Sequence, residues 1–508
     1  MLRTATLAAP LALCAIPAFA QITATDVWDQ GVALQAAAGG TMTVTAPDGG
    51  AGTYTDIAMD WSLPMGLGSF GIALSEMSLT ENGDGTVAIA YPPTLRMRAY
   101  GDIAGEAAFS LEIDLVTDDD VTTASGTPGD ITYASRSGPT TMTFVSLSVD
   151  GGDTDIDGDT DMSGDVTIDG ADSTIQVDTT GDLVTVVGTS STGTMLSDFT
   201  FEAGAGYRST DESEYGPSAV TFDIALPAGG SDPMNLAPAL RDGLRLVSET
   251  VSGPTTSLAT GTSPWSDAET REYTSSAGGT TSLTIDETGI DVSLDIAEIV
   301  FEVDDPFMGR IGADATAARM RFAMPLLAST DAQDAALSFD IDALRLGPAI
   351  WAQLDPDKQL ARDPLDMDLD ATVGLVLDID LPDVAAVGAA MDRPTPPGSV
   401  TRIDVASAGL AALGASATGM AGFAFSDMDI DPVLGFPVPS GSASFTLTGV
   451  NALLDRLVDA GIIAPEEIFG ARLALGMVTQ ATDEDDVLTG TIDIDAAGTI
   501  TANGIRIR

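Results

Sequence analysis

The chain has no histidine, one cysteine and one lysine in 508 residues. Without histidine there is no Ser-His-Asp triad, none of the usual zinc sites and no imidazole base. Three places before the single lysine, Lys358, stands Asp355, so the S-x-x-K signature is absent. No G-x-S-x-G elbow and no P-loop occur either. A carboxylate pair of the glycosidase kind is compatible with the composition, but among 76 acidic residues no pair stands out. Aromatic residues make up 5%, so the core has to be built from Leu, Val, Ile and Ala. These absences point to a non-enzymatic protein.

The first twenty residues read as a secretory signal peptide. Arg3 supplies the positive end, Leu7 to Ala18 the apolar core, and Ala18-Phe19-Ala20 an A-x-A cleavage site. The uncharged run Thr4 to Ala20 holds Pro10 and Pro17 and is short for a bilayer span, which argues against a retained anchor. Cys14 lies inside the apolar core and follows Leu13, where a lipidated cysteine wants a small residue. Once the signal is cleaved no cysteine remains, which excludes disulfides, thiolate metal sites and cysteine nucleophiles. The implied location is the periplasm, with secretion as the alternative.

Charge of one sign dominates the rest. With 20 basic against 76 acidic residues the net charge is −56. Such a field repels nucleic acid and anionic headgroups, so neither is an expected partner. Cations and basic proteins are compatible with it. Solubility in a salty medium is the plainer explanation.

Period-two alternation sets the fold class. Thr41–Thr45, Gly85–Ala90, Ile290–Ile296 and Leu337–Asp342 alternate apolar with polar residues, and Leu375, Leu377, Ile379 and Leu381 form a further inward set. Thr491–Asp495 turns through Ala496-Ala497-Gly498 into Thr499–Thr501 as a hairpin. Val405 to Ser426 is uncharged but rich in Gly and Ser, and reads as strand rather than membrane helix. Helices are few. One starts with Thr25 as N-cap, carries Val27, Trp28, Val32 and Leu34 on one face, and stops at Gly39-Gly40. A second covers Leu236 to Val247. A third has Asn451 as N-cap and ends at Gly461, and a short fourth opens at Pro465. Asp118–Thr140 and Ser252–Thr280, rich in Ser, Thr and Gly, read as linkers. The expectation is a mainly β protein with a few short helices (α+β), built of elongated, curved antiparallel sheets. After the signal (1–20) come two β-rich halves, 21–260 and 261–508, which could form one continuous sheet. No short repeat of fixed period is visible.

One run has the makings of a metal site. Asp153, Asp155, Asp157, Asp159 and Asp161 alternate around Gly158, like the first half of a calcium loop of EF-hand type. The twelfth position, where a bidentate glutamate belongs, is Gly164. Asp–apolar–Asp also recurs at Asp340, Asp366, Asp378, Asp429 and Asp493, so the pattern is partly a surface habit of the chain. A solvated acidic turn is the competing reading. Aspartates on neighbouring strands repel, so the fold is expected to gain stability from salt or divalent cations.

Several phrases of the carboxy-terminal half resemble the proteobacterial family known as domain of unknown function 2125. They are Leu344-Arg345-Leu346-Gly347 leading to Trp351, Leu354-Asp355-Pro356, Ala361-Arg362-Asp363-Pro364, Asn451 to Val458, Gly470-Ala471-Arg472 with Leu475-Gly476-Met477, and Ala502 to Arg508. Asp26-Val27-Trp28 and Ala38-Gly39-Gly40 fit the same pattern, whereas Asp153–Asp161 does not belong to it. The resemblance brings no catalytic residues. By analogy of fold it implies a long β-sheet envelope protein with a lipid-lined groove.

The expectation for function is therefore a periplasmic protein that binds or conveys an apolar envelope molecule, a lipid, on a β-sheet surface. The alternatives are a structural or assembly factor holding a basic envelope protein on its acidic face, and a calcium-dependent binding protein. If Asp153–Asp161 holds calcium, that ion and not magnesium should raise the melting temperature, and the D155N/D157N variant should lose the difference. An unchanged response in the variant would refute the site.

Overall fold

Short alternating stretches punctuated by Gly, Pro and Asp pair most readily with their neighbours in sequence, in antiparallel fashion. The computed structural model describes residues 21–507 except 48–49, 64–67, 104–106, 151–160, 204–206, 264–265, 307–308, 394–395 and 431–436. All its strands join one antiparallel sheet. Six helices accompany the sheet among the described residues: α1 (Ala24–Ala37), α2 (Ala237–Arg241), α3 (Pro348–Leu354), α4 (Val384–Met391), α5 (Val450–Asp459) and α6 (Pro465–Val478).

The sheet is creased lengthwise. Strand Ala107–Thr117 continues through three residues into Val121–Thr127, and Asp130–Ser137 continues through Gly138-Pro139 into Thr140–Asp150. Outer half pairs with outer half and inner with inner, so each couple is one long strand with a corner. The same corner recurs between Leu183–Thr192 and Met195–Ala203, between Tyr207–Tyr215 and Ser218–Pro227, and between Arg245–Ser252 and Thr255–Ser263. Glycine and proline occupy most corners because the ladder breaks there, and proline has no N–H to offer it. Adjacent corners bind each other: the N–H of Gly138 donates to the carbonyl of Asp118 (2.8 Å) and that of Gly253 to Pro217 (2.9 Å). The crease divides the sheet into two wings.

Further along, strands cross the crease unbroken. In Gly289–Asp305 and Gln333–Leu346 the crossing residues are Glu298 and Ala343, with φ of 50° and 52°. A left-handed residue shifts the alternation by one place. Leu365 and Met367, two apart on one strand, face one way, and they oppose Leu344 and Ile341, which are three apart across Ala343. Apolar side chains on either side of the crease therefore share one face.

That face carries continuous cross-strand rows. Ile131, Val177, Val186, Ile224, Leu246, Ile285, Ile290 and Met324 stand directly opposite one another on eight successive strands. Seven strand spacings of about 4.8 Å make this row roughly 34 Å long. A second row runs Val292, Phe322, Leu337, Ala371, Val405 and Ala421 into the carboxy-terminal strands. The opposite face carries the charge. There Arg319 stands between Asp295 and Asp340 and binds both, at 3.4 and 2.6 Å. Asp165, Asp198 and Glu212 form another row with no arginine between them.

Burial is concentrated at one end. Of the 25 apolar side chains that are buried among the described residues, the ten around Ile22, Val27 and Tyr54 and the four around Ala37 and Val186 lie against α1.

Several sequence expectations need correction. Both supposed linkers are strands: Val121–Thr127 and Asp130–Ser137 in the first, Thr255–Ser263 and Ser266–Ser276 in the second. The boundary set between residues 260 and 261 falls inside Thr255–Ser263. The helix read over Leu236–Val247 stops at Arg241, because Gly243 turns left-handed (φ 100°) and Arg245–Ser252 is a strand. The inward set Leu375–Leu381 ends as strand at Leu377. The cap of α1 is Thr23 and not Thr25. The cap of α5 is Gly449, while Asn451 lies within the helix and donates with Ala452 to the carboxylate of Asp486. The helix opening at Pro465 is 14 residues long.

The unrelieved carboxylate row generates a prediction. Asp198→Asn should raise stability in low salt by about 0.2–1 kcal/mol, and the gain should vanish in 1 M sodium chloride. Urea denaturation at the two salt levels measures it, and an equal gain in both would rule out charge repulsion as the cause.

Candidate functional site: an apolar trough closed by a helix

Helix α1 is built to be held in place. Thr23 accepts from the Asp26 N–H through Oγ1, while the Asp26 carboxylate takes the Thr23 N–H at 2.8 Å, a complete capping box. One face presents Val27, Gln30, Leu34 and Ala37 to the sheet, whereas Val32 is 40% exposed and belongs to the other face. Trp28 stacks on Tyr54 with centroids 4.4 Å apart. Gln35 Nε2 is buried without a partner among the described residues, but the other buried glutamine of α1, Gln30, is bonded to the sheet. Its Nε2 donates to the carbonyls of Val177 (2.8 Å) and Gly129 (3.0 Å), and its Oε1 accepts from the Tyr133 hydroxyl (2.7 Å). A buried amide left unpaired is costly, so these three bonds fix where the helix can sit. Burial pushes the Tyr133 hydroxyl up to about 12, so it stays protonated as a donor.

Between α1 and the sheet lies a cavity of about 440 Å³. It is lined by Met42, Met59 and Met77 from the first three strands, by Ile175 and Val186 from strands farther along, and by Trp28 and Leu34 of the helix. These sheet residues belong to one face. A single cavity can be lined by strands this far apart on one face only if that face is concave there. The apolar side of the creased sheet is thus the inside of a trough, and α1 closes it near its start.

Beyond α1 the trough is open. Phe301, Met320, Phe322, Leu337 and Leu410 on the inner face are 40–47% exposed, far more than core residues of their size. Exposed apolar side chains in a continuous row are a candidate binding surface. The rings are kept low. Phe109, Phe199 and Phe445 stand directly opposite Gly101, Gly164 and Gly490 and lie over them. A Cβ on Gly164 would come within 2.3 Å of the Phe199 ring, so glycine is what lets the ring lie against the backbone. One wing is less apolar in its middle, where Asp211 accepts from Ser213 (2.8 Å) and Ser257 (3.2 Å).

The far end has a second cavity, of about 520 Å³, between the inner face and helices α3 and α5. No helix among the described residues is long and apolar enough to cross a membrane.

Asp153, Asp155, Asp157 and Asp159 lie outside the described residues, as do residues 1–20, the stretch expected to be a signal peptide. Asp161 opens the strand Asp161–Ile168 opposite Glu202. Among the described residues no group of three or more metal-ligating side chains is placed to hold an ion. Gln30 and Tyr133 escaped the sequence reading, because nothing local distinguishes a glutamine that pins a helix from one on a wet face. The alternation at Ile175–Val177 and Val184–Val186 was available as a signal for the trough floor.

No curated protein and no solved structure matches the chain. The family model described as uncharacterized protein conserved in bacteria (DUF2125) matches residues 254–507, from the turn before Thr255–Ser263 to the last described residue. The phrases around Asp26 and Gly39 that resemble the family lie outside that match. Over half its length, and through every strand of the open part of the trough from Gly289 onward, the chain belongs to this family of uncharacterized bacterial proteins.

Proposed function

We propose that the trough carries an apolar envelope molecule, the acyl chain of a lipid, in the periplasm. The observation that supports this most is the apolar inner face, continuous from strand to strand and left uncovered after α1. A second protein layer would remove these side chains from water in an ordinary sandwich. Here an acyl chain would do so, at about 25 cal/mol for each Å² covered. The row geometry suits a chain lying across the strands, since each 4.8 Å step offers another apolar side chain at the same height. The acidic outer face would then keep the loaded protein soluble and off anionic bilayer surfaces.

Mass spectrometry of the protein purified from the bacterial envelope should find co-purifying lipid. Phe322→Asp with Leu337→Asp, two directly opposed inner residues, should weaken lipid binding by about a hundredfold or more, since each substitution forfeits about 1.5–3 kcal/mol of apolar burial. Met420→Asp on the outer face should leave it unchanged. Repeated absence of lipid from the unaltered protein would overturn the proposal.

A further inference from the structure

Arginine is scarce in this chain, and most described arginines face a carboxylate. Arg96, Arg136, Arg241, Arg245, Arg319 and Arg321 are examples, each within 3.0 Å of an aspartate. Arg98, Arg362, Arg393 and Arg456 differ: among the described residues none has a carboxylate within ion-pair distance. Arg362 lines the cavity at the far end of the trough, and Arg456 lies over the turn beside it.

That cavity, about 520 Å³, is of the size that takes a small-molecule ligand. Its apolar wall comes from Leu344, Leu346 and Leu365 on the sheet, Trp351 on α3, Leu457 on α5 and Ile462 just beyond it. Arg362 stands at the rim, its guanidinium 5.1 Å from the Trp351 ring centroid. Its one hydrogen bond to protein goes to the carbonyl of Asp355, at 3.4 Å. The Asp355 carboxylate forms its hydrogen bonds with the N–H groups of Gln359 (2.8 Å) and Leu360 (2.9 Å) and feels the Arg362 charge only beyond ion-pair distance. Arg456 projects from α5 over the turn at Gly414. A Cβ there would lie 2.9 Å from its Nη1 and 3.3 Å from the side chain of Ala361, the residue before Arg362. Its Nε donates to the Ala452 carbonyl, leaving both terminal nitrogens available. Two other charged groups line the cavity: Arg345, paired with Asp314 at 3.0 Å, and Asp363.

A greasy cavity with one guanidinium in its lining and a second over the adjoining turn at Gly414, neither of them in an ion pair, fits one kind of ligand. We propose that it seats a single-chain amphiphile with an anionic head, the tail among the leucines and the head against Arg362 and Arg456. Guanidinium groups bind carboxylate and phosphate alike through paired N–H donors, so the shared chemistry is an oxyanion on an alkyl chain. The proposal rests on the reading of the trough as a lipid-carrying surface and adds which end of the lipid is recognised, and where. In a protein of net charge −56 an anion has to be held locally against a repulsive field, and these two arginines are placed to do it.

Binding of laurate, dodecyl phosphate and dodecanol to the full mature chain tests this by calorimetry. One or both anions should bind about tenfold more tightly than dodecanol, and the preferred one tells a fatty acid from a phosphate headgroup. The R362Q/R456Q variant should bind all three alike, at the dodecanol level. R362K/R456K should keep the preference, as should R136Q, which breaks an outer-face ion pair far from the cavity. Equal binding of all three by the unaltered protein, or a preference that survives R362Q/R456Q, would overturn the inference while leaving the trough reading intact. If none of the three binds, the trough reading fails with it.

Discussion

A β-sheet can satisfy every backbone hydrogen bond within itself, but it cannot cover its own apolar face. Everything distinctive in this fold follows from how that face is handled. The sheet is long, six helices accompany it among the described residues, and the inner rows stay exposed along much of their length. Creasing brings the apolar face round on itself. The trough then shields its floor partly by curvature, and what remains open is the surface proposed to carry a ligand.

Keeping one face apolar across a crease demands a device at each crossing. Where the chain can afford a break, glycine and proline make a corner and the next strand starts afresh. Where the strand is continuous, one left-handed residue does the same, as at Glu298 and Ala343. Without that shift, Phe301 and Val303 would point outward among the aspartates while Glu302 faced the floor. The outer face has its own constraint. Aspartates crowd it, and arginines such as Arg319, between Asp295 and Asp340, and Arg321, paired with Asp291, relieve the repulsion this creates.

Much of this was legible in the sequence, and the rest was hidden for physical reasons. Ile290–Ile296 and Leu337–Asp342 announced themselves because one face is apolar and the other carries aspartate. The strands taken for linkers, such as Thr255–Ser263, did not, since serine and threonine occupy both of their faces and no alternation survives. The crease could not be read at all: a corner such as Gly253-Pro254 looks like any loop, and only pairing with Gly216-Pro217 shows that the strand resumes. The cap of α5 was misplaced because Asp486, which takes its first N–H groups, is 35 residues away from Asn451. The arginines at the far cavity likewise gain meaning only from what does not stand beside them.

The central claim is that the inner face alone meets lipid. A photo-crosslinking residue placed at Phe301, Phe322 or Leu337 on the inner face, and at Leu258, Tyr273 or Met420 on the outer, measures this in living cells. Lipid adducts at the three inner positions and none at the outer three is the outcome expected. Adducts on both faces alike, or on neither, would contradict it.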